Sequence, residues 1–195
     1  MLSKTIIAVL ISYALGCFST GYYYTRFRYN KDIREVGTKV TGAMNVSRLA
    51  GKKGFIITFF GDGLKGALVV MLARYLELPE WASLLIILMV LLGHIFPIQL
   101  RFQGGKGMST IFGALLMYQP LYILMLFLTC IVIYPFVRRY TITGLFALLL
   151  FPLELFFADY STTVMLFGLA FAILILYACR SNIKEYLEGN AYHKH

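Results

Sequence analysis

The chain has 195 residues, 59% of them hydrophobic and 14% charged, where soluble domains carry about 45–50% and about 25%; this composition argues against a soluble globular domain and for an all-α polytopic membrane protein. The formal net charge is +9, but the basic residues lie between apolar runs rather than in one stripe. Positive cytoplasmic loops account for that pattern, and nucleic-acid binding does not follow from it. Cys17, Cys130 and Cys179 have neither metal-ligand spacing nor the makings of a disulfide framework.

The first apolar segment, Thr5–Tyr24, has the roughly 20 residues that a spanning helix needs. No small-x-small cleavage site ends it, so it reads as a retained helix rather than a removed signal peptide. It runs into the aromatic and basic "YYYTRFRY", Tyr22 to Tyr29, which suits an interfacial anchor better than a base-stacking surface. A long loop follows, containing "REVGTKVTGAMNVSRLAGKKG", Arg34 to Gly54. Long loops in compact proteins tend to be functional. Asn45 and Arg48 are three apart and share a face if this part is helical. A guanidinium there suits a phosphate or carboxylate, whereas Arg26, Arg28, Lys52 and Lys53 fit a solvated positive loop.

The second segment, Phe55–Leu76, places Asp62 and Lys65 inside an apolar helix. Their i, i+3 spacing allows a structural ion pair, and ionisable residues at membrane depth also invite a functional reading. The third segment, Trp81–Leu100, holds "GHIFP" near its end. A lone histidine such as His94 is more often a hydrogen-bonded structural residue than a catalyst. His193 and His195 form a terminal tail, and no three ligands stand at metal-binding spacing.

The fourth segment, Gly107–Tyr118, is opened by Gly104-Gly105-Lys106-Gly107. Free amides at a helix start favour an anion, glycines allow close approach, and Lys106 adds a full charge. The element is either a phosphate cradle or a flexible turn with an interfacial lysine. It is not a Walker A loop, because Ser109 does not follow Lys106 directly. Leu121–Val137, Thr141–Phe157 and Thr162–Cys179 complete the apolar segments. Arg180 and Asn182 stand where the last one leaves the membrane, and Arg180 is a third anion ligand or a snorkelling anchor.

The stretch Gly107–Val137 is long for one crossing and short for two. Gln119-Pro120 offers a turn inside it. With two crossings, fifteen of the eighteen Lys and Arg fall on one side, as the positive-inside rule asks. The expected architecture is therefore seven transmembrane helices with a short fourth helix. The N-terminus is outside and the C-terminus is cytoplasmic, in a single domain spanning residues 1–195. Lys106, Arg48 and Arg180 then project from the cytoplasmic side, where a ligand with phosphate and lipid parts would suit them. No catalytic triad is evident.

Taken in order, "DIREVG" with "GAMNVSRLAGKKG", "DGLKG", "GHIFPIQLRFQGGKG" and "RSNI" with a following Gly189 resemble the bacterial acyl-phosphate:glycerol-3-phosphate acyltransferases of the PlsY type, over nearly the whole chain. The resemblance implies acyl transfer from an acyl-phosphate to the 1-hydroxyl of glycerol-3-phosphate, yielding lysophosphatidate and phosphate in phospholipid synthesis. It implies no metal or organic cofactor, a multi-pass protein of the bacterial inner membrane and an active site on the cytoplasmic side. A monomer surrounded by membrane lipid is expected. The resemblance assigns phosphate binding to Gly104, Gly105, Lys106, Gly107, Thr38, Gly42, Arg180 and Asn182. Lys106, Arg48, Asn45 and His94 are the expected catalytic group, with His94 giving support or acid–base assistance.

The sequence departs from the family pattern at several places. Gly16-Cys17-Phe18-Ser19 stands for a G-S-x-P, and Thr38, Lys39, Val40 and Met44 alter the first motif. Ile142 replaces a serine, Cys179 a histidine and Ala191 a glutamate. Val40, Ile142 and Ala191 cannot hydrogen-bond through their side chains. A non-catalytic paralogue that binds acyl-phosphate or a phospholipid, or an acyltransferase with another phosphorylated acceptor, are the alternatives those departures raise. A transporter would want more charge through the midplane than Asp62 and Lys65.

Overall fold

The computed structural model describes residues 2–188, with the side chain of Glu185 excepted; Gly189, Ala191, His193 and His195 lie outside the described residues. The described chain is all helical, from α1 (Leu2–Cys17) and α2 (Thr20–Tyr29) through α3 (Ala43–Tyr75), α4 (Glu80–Ile95), α5 (Met108–Tyr118), α6 (Pro120–Val137), α7 (Tyr140–Phe157) and α8 (Thr162–Ala178) to α9 (Arg180–Leu187). Five helical stretches are long and apolar enough to cross a membrane: Leu2–Tyr29, Ala43–Tyr75, Glu80–Leu100, Pro120–Val137 and Tyr140–Phe157. Met108–Tyr118 and Thr162–Ala178 are apolar but shorter. The chain forms two compact units, residues 1–120 and 121–195.

In the first unit, α3 packs on α5 and α1 on α4. Both contacts bring backbone against backbone. A methyl group on Gly93 would come within 2.2 Å of the Tyr13 carbonyl, and one on Gly113 within 2.0 Å of the Gly63 carbonyl. Small residues permit such approach, and within lipid close packing replaces the missing hydrophobic drive between helices. Beyond these seams, Val69, Leu84, Ile86, Ile87, Val90 and Leu91 are fully buried. The short α5 is closed at its C-terminus by Arg74, whose Nη2 donates to the Met117 carbonyl at 2.6 Å. A cation there also suits the helix dipole.

Two boundaries differ from the sequence reading. The first apolar segment is not one helix, because it breaks at Phe18–Ser19 between α1 and α2. The third helix starts at Ala43 rather than Phe55, with one non-helical residue at Gly51 (φ 63°, ψ −160°). That left-handed φ suits glycine, and the break separates a polar helical turn bearing Asn45 and Arg48 from the apolar stretch beyond.

In the second unit, α7 packs on α8 around the buried Phe151, Leu155, Phe171 and Ile175. Ser161 caps α8 by accepting from the Val164 amide at 3.3 Å. Tyr122 of α6 meets Phe151 and Tyr160 edge-on. Ile142 and Cys179, two of the positions that depart from the family pattern, are both buried. An isoleucine at 142 fits such a site without the partner that a serine would require.

Candidate active site

Polar groups gather at two places in the first unit. One is the break between α1 and α2, where orphan backbone groups would lie exposed to lipid unless side chains met them. Lys65 reaches in from α3 and donates to the Gly16 carbonyl at 3.0 Å and the Phe18 carbonyl at 2.7 Å. Gln99 Nε2 donates to the Cys17 carbonyl between them. Asp62, one turn away on α3, accepts from the Thr20 amide at 3.2 Å. The cation thus sits on a helix C-terminus and the carboxylate on a helix N-terminus, each matched to the dipole it meets. Asp62 and Lys65 form the expected ion pair, 3.1 Å apart. Both are buried.

Lys65 Nζ also lies 2.8 Å from His94 Nδ1. His94 is buried near the end of α4, at 2% exposure. Pro97 prevents the helix from continuing, so its last carbonyls need other donors. Tyr13 Oη donates to the Phe96 carbonyl at 2.9 Å. The amides of Gly104 and Gly105 donate to the carbonyls of Ile95 and His94, at 3.1 and 3.0 Å.

These last bonds correct one expectation. The amides of Gly104 and Gly105 do not face an anion freely, because the open end of α4 takes them. Beyond these two amides, the turn carries the charge of Lys106 and leads into the start of α5. Gly107 caps α5 with φ 82°, a conformation that glycine adopts without strain. The first intrahelical bond runs from Ile111 N–H to the Gly107 carbonyl, so helix geometry gives the preceding amides no acceptor within α5. Lys106 is half-buried at this helix start.

The second gathering is the loop between α2 and α3. Asn45 organises it: Nδ2 donates to the carbonyls of Ile33, Val36 and Val40 at 2.8–3.1 Å, and Oδ1 accepts from the Thr38 amide at 2.8 Å. Its amide is fully engaged by the loop backbone, so Asn45 shapes the site rather than offering a free group to a ligand. Gly37 (φ 55°) lies against it; a methyl group there would come within 2.4 Å of Asn45 Oδ1 and 3.1 Å of Arg48 Cδ. Asn45 and Arg48 therefore do share one helix face, directed at this loop. Arg48 is exposed, and Thr38 and Gly42 are half-buried beside it in the chain.

The loop is tied to the glycine turn. The Thr41 amide donates to the Gly104 carbonyl at 3.3 Å, and Arg34 Nη1 donates to the Leu100 carbonyl at 2.9 Å. Arg34 is held by Asp32 through Nε–Oδ1 and Nη2–Oδ2 contacts of 3.0 and 2.6 Å and lies 5.1 Å from the Tyr22 ring centre. The guanidinium bond holds the Asp32 carboxyl below the usual carboxylate range, and Asp32 in turn raises Arg34. The sequence reading quoted "DIREVG" without assigning Asp32 or Arg34 a role; the available signal was an aspartate able to accept from the backbone two residues on, as Asp32 Oδ1 does from the Arg34 amide at 2.9 Å.

In the second unit, Arg180 Nη1 donates to the Tyr177 carbonyl at 3.0 Å and its guanidinium covers the Tyr177 ring at 4.5 Å. The Asn182 amide donates to the Cys179 carbonyl at 2.9 Å. The sequence reading also passed over Glu154, in the apolar α7, which accepts from Thr129 Oγ1 of α6.

Known proteins resemble this chain in sequence and in fold. The family model for glycerol-3-phosphate acyltransferase matches residues 6–189. "Glycerol-3-phosphate acyltransferase 1" of Bacillus thuringiensis subsp. konkukian is 36% identical over 178 residues, covering 91% of this chain and 98% of its own. The protein of the same name from Desulfitobacterium hafniense is 37% identical, covering 94% of this chain and 91% of its own. Among solved structures, PlsY (YgiH), an integral membrane glycerol 3-phosphate acyltransferase, superimposes in its glycerol 3-phosphate form with a TM-score of 0.88 at 30% identity, covering 98% of this chain and 96% of PlsY. Its lysophosphatidic acid form gives 0.83, again at 30% identity, with 95% and 92% covered. The chain belongs to the glycerol-3-phosphate acyltransferase family.

Proposed function

We propose that this protein transfers an acyl group from an acyl-phosphate to the 1-hydroxyl of glycerol-3-phosphate, releasing lysophosphatidate and inorganic phosphate for phospholipid synthesis. The observation that carries this reading is the joining of the two phosphate-type elements: the loop shaped by Asn45 is bonded to the glycine turn at Gly104, and the loop clamp at Arg34 to Leu100. Lys106 with the start of α5, and Arg48 with Thr38 and Gly42, then present cations and backbone to phosphate oxygens. Gly104 and Gly105 shape the turn, and Gly107 opens the helix. Arg180 and Asn182, in the second unit, are kept as phosphate-binding residues on the strength of the family motif alone.

The reaction asks little covalent help from the chain. A mixed anhydride is already activated, so charge neutralisation and positioning supply most of what is needed. The hydroxyl oxygen attacks the acyl carbon, the bond from that carbon to the phosphate oxygen breaks, and phosphate leaves. The departing phosphate accepts the hydroxyl proton, which closes the balance without a triad, metal or organic cofactor. Around this chemistry, the reading keeps one domain over residues 1–195 and seven crossings, with the N-terminus outside and the C-terminus cytoplasmic. The monomer resides in the bacterial inner membrane with its site on the cytoplasmic side. The five long apolar helices and two shorter ones support this topology.

The test is direct. Purified protein in lipid is given acyl-phosphate and glycerol-3-phosphate, and phosphate release and lysophosphatidate are followed. Lys106→Ala is expected to lower kcat/KM on the order of 100-fold, as loss of a charged transition-state contact does. Absence of turnover with acyl-phosphate still bound would replace the enzyme reading with a binding paralogue. A periplasmic signal from a C-terminal reporter would overturn the topology.

A further inference from the structure

His94 touches the glycine turn in two ways. Its carbonyl accepts from the Gly105 amide at 3.0 Å. Its ring also seats against the same residue: a methyl group on Gly105 would come within 2.2 Å of Nε2, 2.8 Å of Cε1 and 3.2 Å of Cδ2, and these ring atoms are the nearest obstacles it would meet. The opposite edge of the ring faces Lys65. Lys65 contacts the carbonyls of Gly16 and Phe18 and the carboxylate of Asp62 at 2.7–3.1 Å. These three acceptors match the three N–H groups of a lysine ammonium. His94 Nδ1 lies 2.8 Å from the same Lys65 Nζ, so the ring edge away from Gly105 is held beside the ion pair. The ring's rotation is fixed from the α1–α2 break, through α3, and its far edge fixes the residue that precedes Lys106.

We propose that His94, oriented by the Asp62–Lys65 pair, is a positioning residue for Lys106, setting the backbone of the glycine turn through ring contact with Gly105. His94 does not itself exchange a proton with substrate; it holds the turn so that the Lys106 ammonium meets phosphate at a fixed place. The inference rests on the reading that Lys106 binds substrate phosphate. It assigns the buried pair a purpose beyond capping a helix break, since the same ammonium that satisfies Gly16 and Phe18 also orients the ring.

A double-mutant cycle tests it, because the Gly105 backbone has no positive φ to penalise alanine and the ring is what stands in the way. KM for each phosphate-bearing substrate, kcat and the melting temperature in detergent are measured for Gly105→Ala, His94→Ala and the double variant. Gly105→Ala alone is expected to raise KM on the order of 10- to 100-fold, the scale of an ångström-level misplacement, with a smaller change in kcat. His94→Ala raises KM while leaving a folded protein. In the His94→Ala background the methyl group finds room, so Gly105→Ala adds less than about twofold, within the scatter of independent sites. Effects on KM that multiply independently, or a His94→Ala protein with unaltered KM, overturn the proposal. If His94→Ala does not fold, His94→Asn, which keeps a polar group beside Lys65 and removes the far edge, takes its place in the cycle under the same criteria. Lys106→Ala with unchanged KM would sink the reading of the phosphate site instead, and coupling of the two substitutions in melting temperature would then report the ring contact as structural only.

Discussion

Two carboxylates lie within apolar helices, Asp62 in α3 and Glu154 in α7, and their surroundings differ. Asp62 is 1% exposed; its Oδ1 meets the Lys65 ammonium and the Thr20 amide. Glu154 is half-buried, accepts from the Thr129 hydroxyl, and has no cation partner among the described residues. Each leaves its second oxygen unpaired. The helices around them differ as well. The apolar stretch Glu80–Leu100, which supplies His94 to the Asp62 cluster, is mostly buried, whereas α6, which supplies Thr129, has almost no buried residues. The lesson is that an acid inside an apolar segment is not by itself a functional signal. Asp62 and Lys65 together meet the Thr20 amide and the Gly16 and Phe18 carbonyls at a helix break, whereas Glu154 joins one side chain to another.

The sharpest way to break this contrast is Lys65→Met. It removes the ammonium from Gly16, Phe18, Asp62 and His94 and leaves a carboxylate buried without its cation. Loss of one member of a buried pair costs about 3–5 kcal/mol, and the expected outcome is a protein that melts far earlier in detergent. Adding Asp62→Asn to Lys65→Met removes the stranded charge and should recover much of that loss. No recovery in the double variant would mean that the capped helix break, not the charge balance, dominates.

The loop clamp gives an effect of intermediate size. Arg34→Ala frees the Leu100 carbonyl and Asp32; the Arg34 and Asp32 side chains are about one-fifth exposed, so the stability change is on the order of 1 kcal/mol. Amide exchange across residues 33–40 should quicken more than elsewhere. The pH dependence has a definite sign. The Arg34 hydrogen bond depresses the Asp32 pKa in the folded protein; the stabilisation is therefore present above the ordinary carboxylate range and lost as pH falls through the folded value, below about pH 4. Arg34→Ala should flatten that acid-side loss. An unchanged acid limb would show that the clamp does not hold the loop.

Much of this was legible in the sequence, and the parts that were not have identifiable physical reasons. Gln119-Pro120 marked the change from α5 to α6, and the Asn45–Arg48 spacing marked a shared face, because proline geometry and helical periodicity are local. The α1–α2 break was hidden: Phe18 keeps the run apolar, and the groups that make the break tolerable, Asp62, Lys65 and Gln99, come from far along the chain. The Gly104 and Gly105 amides misled for a related reason. Local rules make them free donors, yet the end of α4 leaves carbonyls open just where the turn passes. The family motif places Asn45 in the catalytic group, while its engagement by the carbonyls of Ile33, Val36 and Val40 appears only once the loop folds around it.

Glu154→Gln should give the smallest effect. Glutamine keeps the length of the side chain and an oxygen able to accept from Thr129, so an amide oxygen takes the place of a carboxylate oxygen in one hydrogen bond, and the stability change should stay within about 1 kcal/mol. KM for the phosphate-bearing substrates should not move, since the contact Glu154 makes is with the Thr129 hydroxyl. The same conservative change at Asp62 would not be silent, because Lys65 would lose its counter-charge. Comparing Glu154→Gln with Asp62→Asn in one unfolding series therefore measures the difference between an acid that joins two side chains and one that closes a helix break. A loss at Glu154 equal to that at Asp62, or any shift in KM, would mean that α7 carries a second charged element whose partner the hydrogen bond to Thr129 does not reveal.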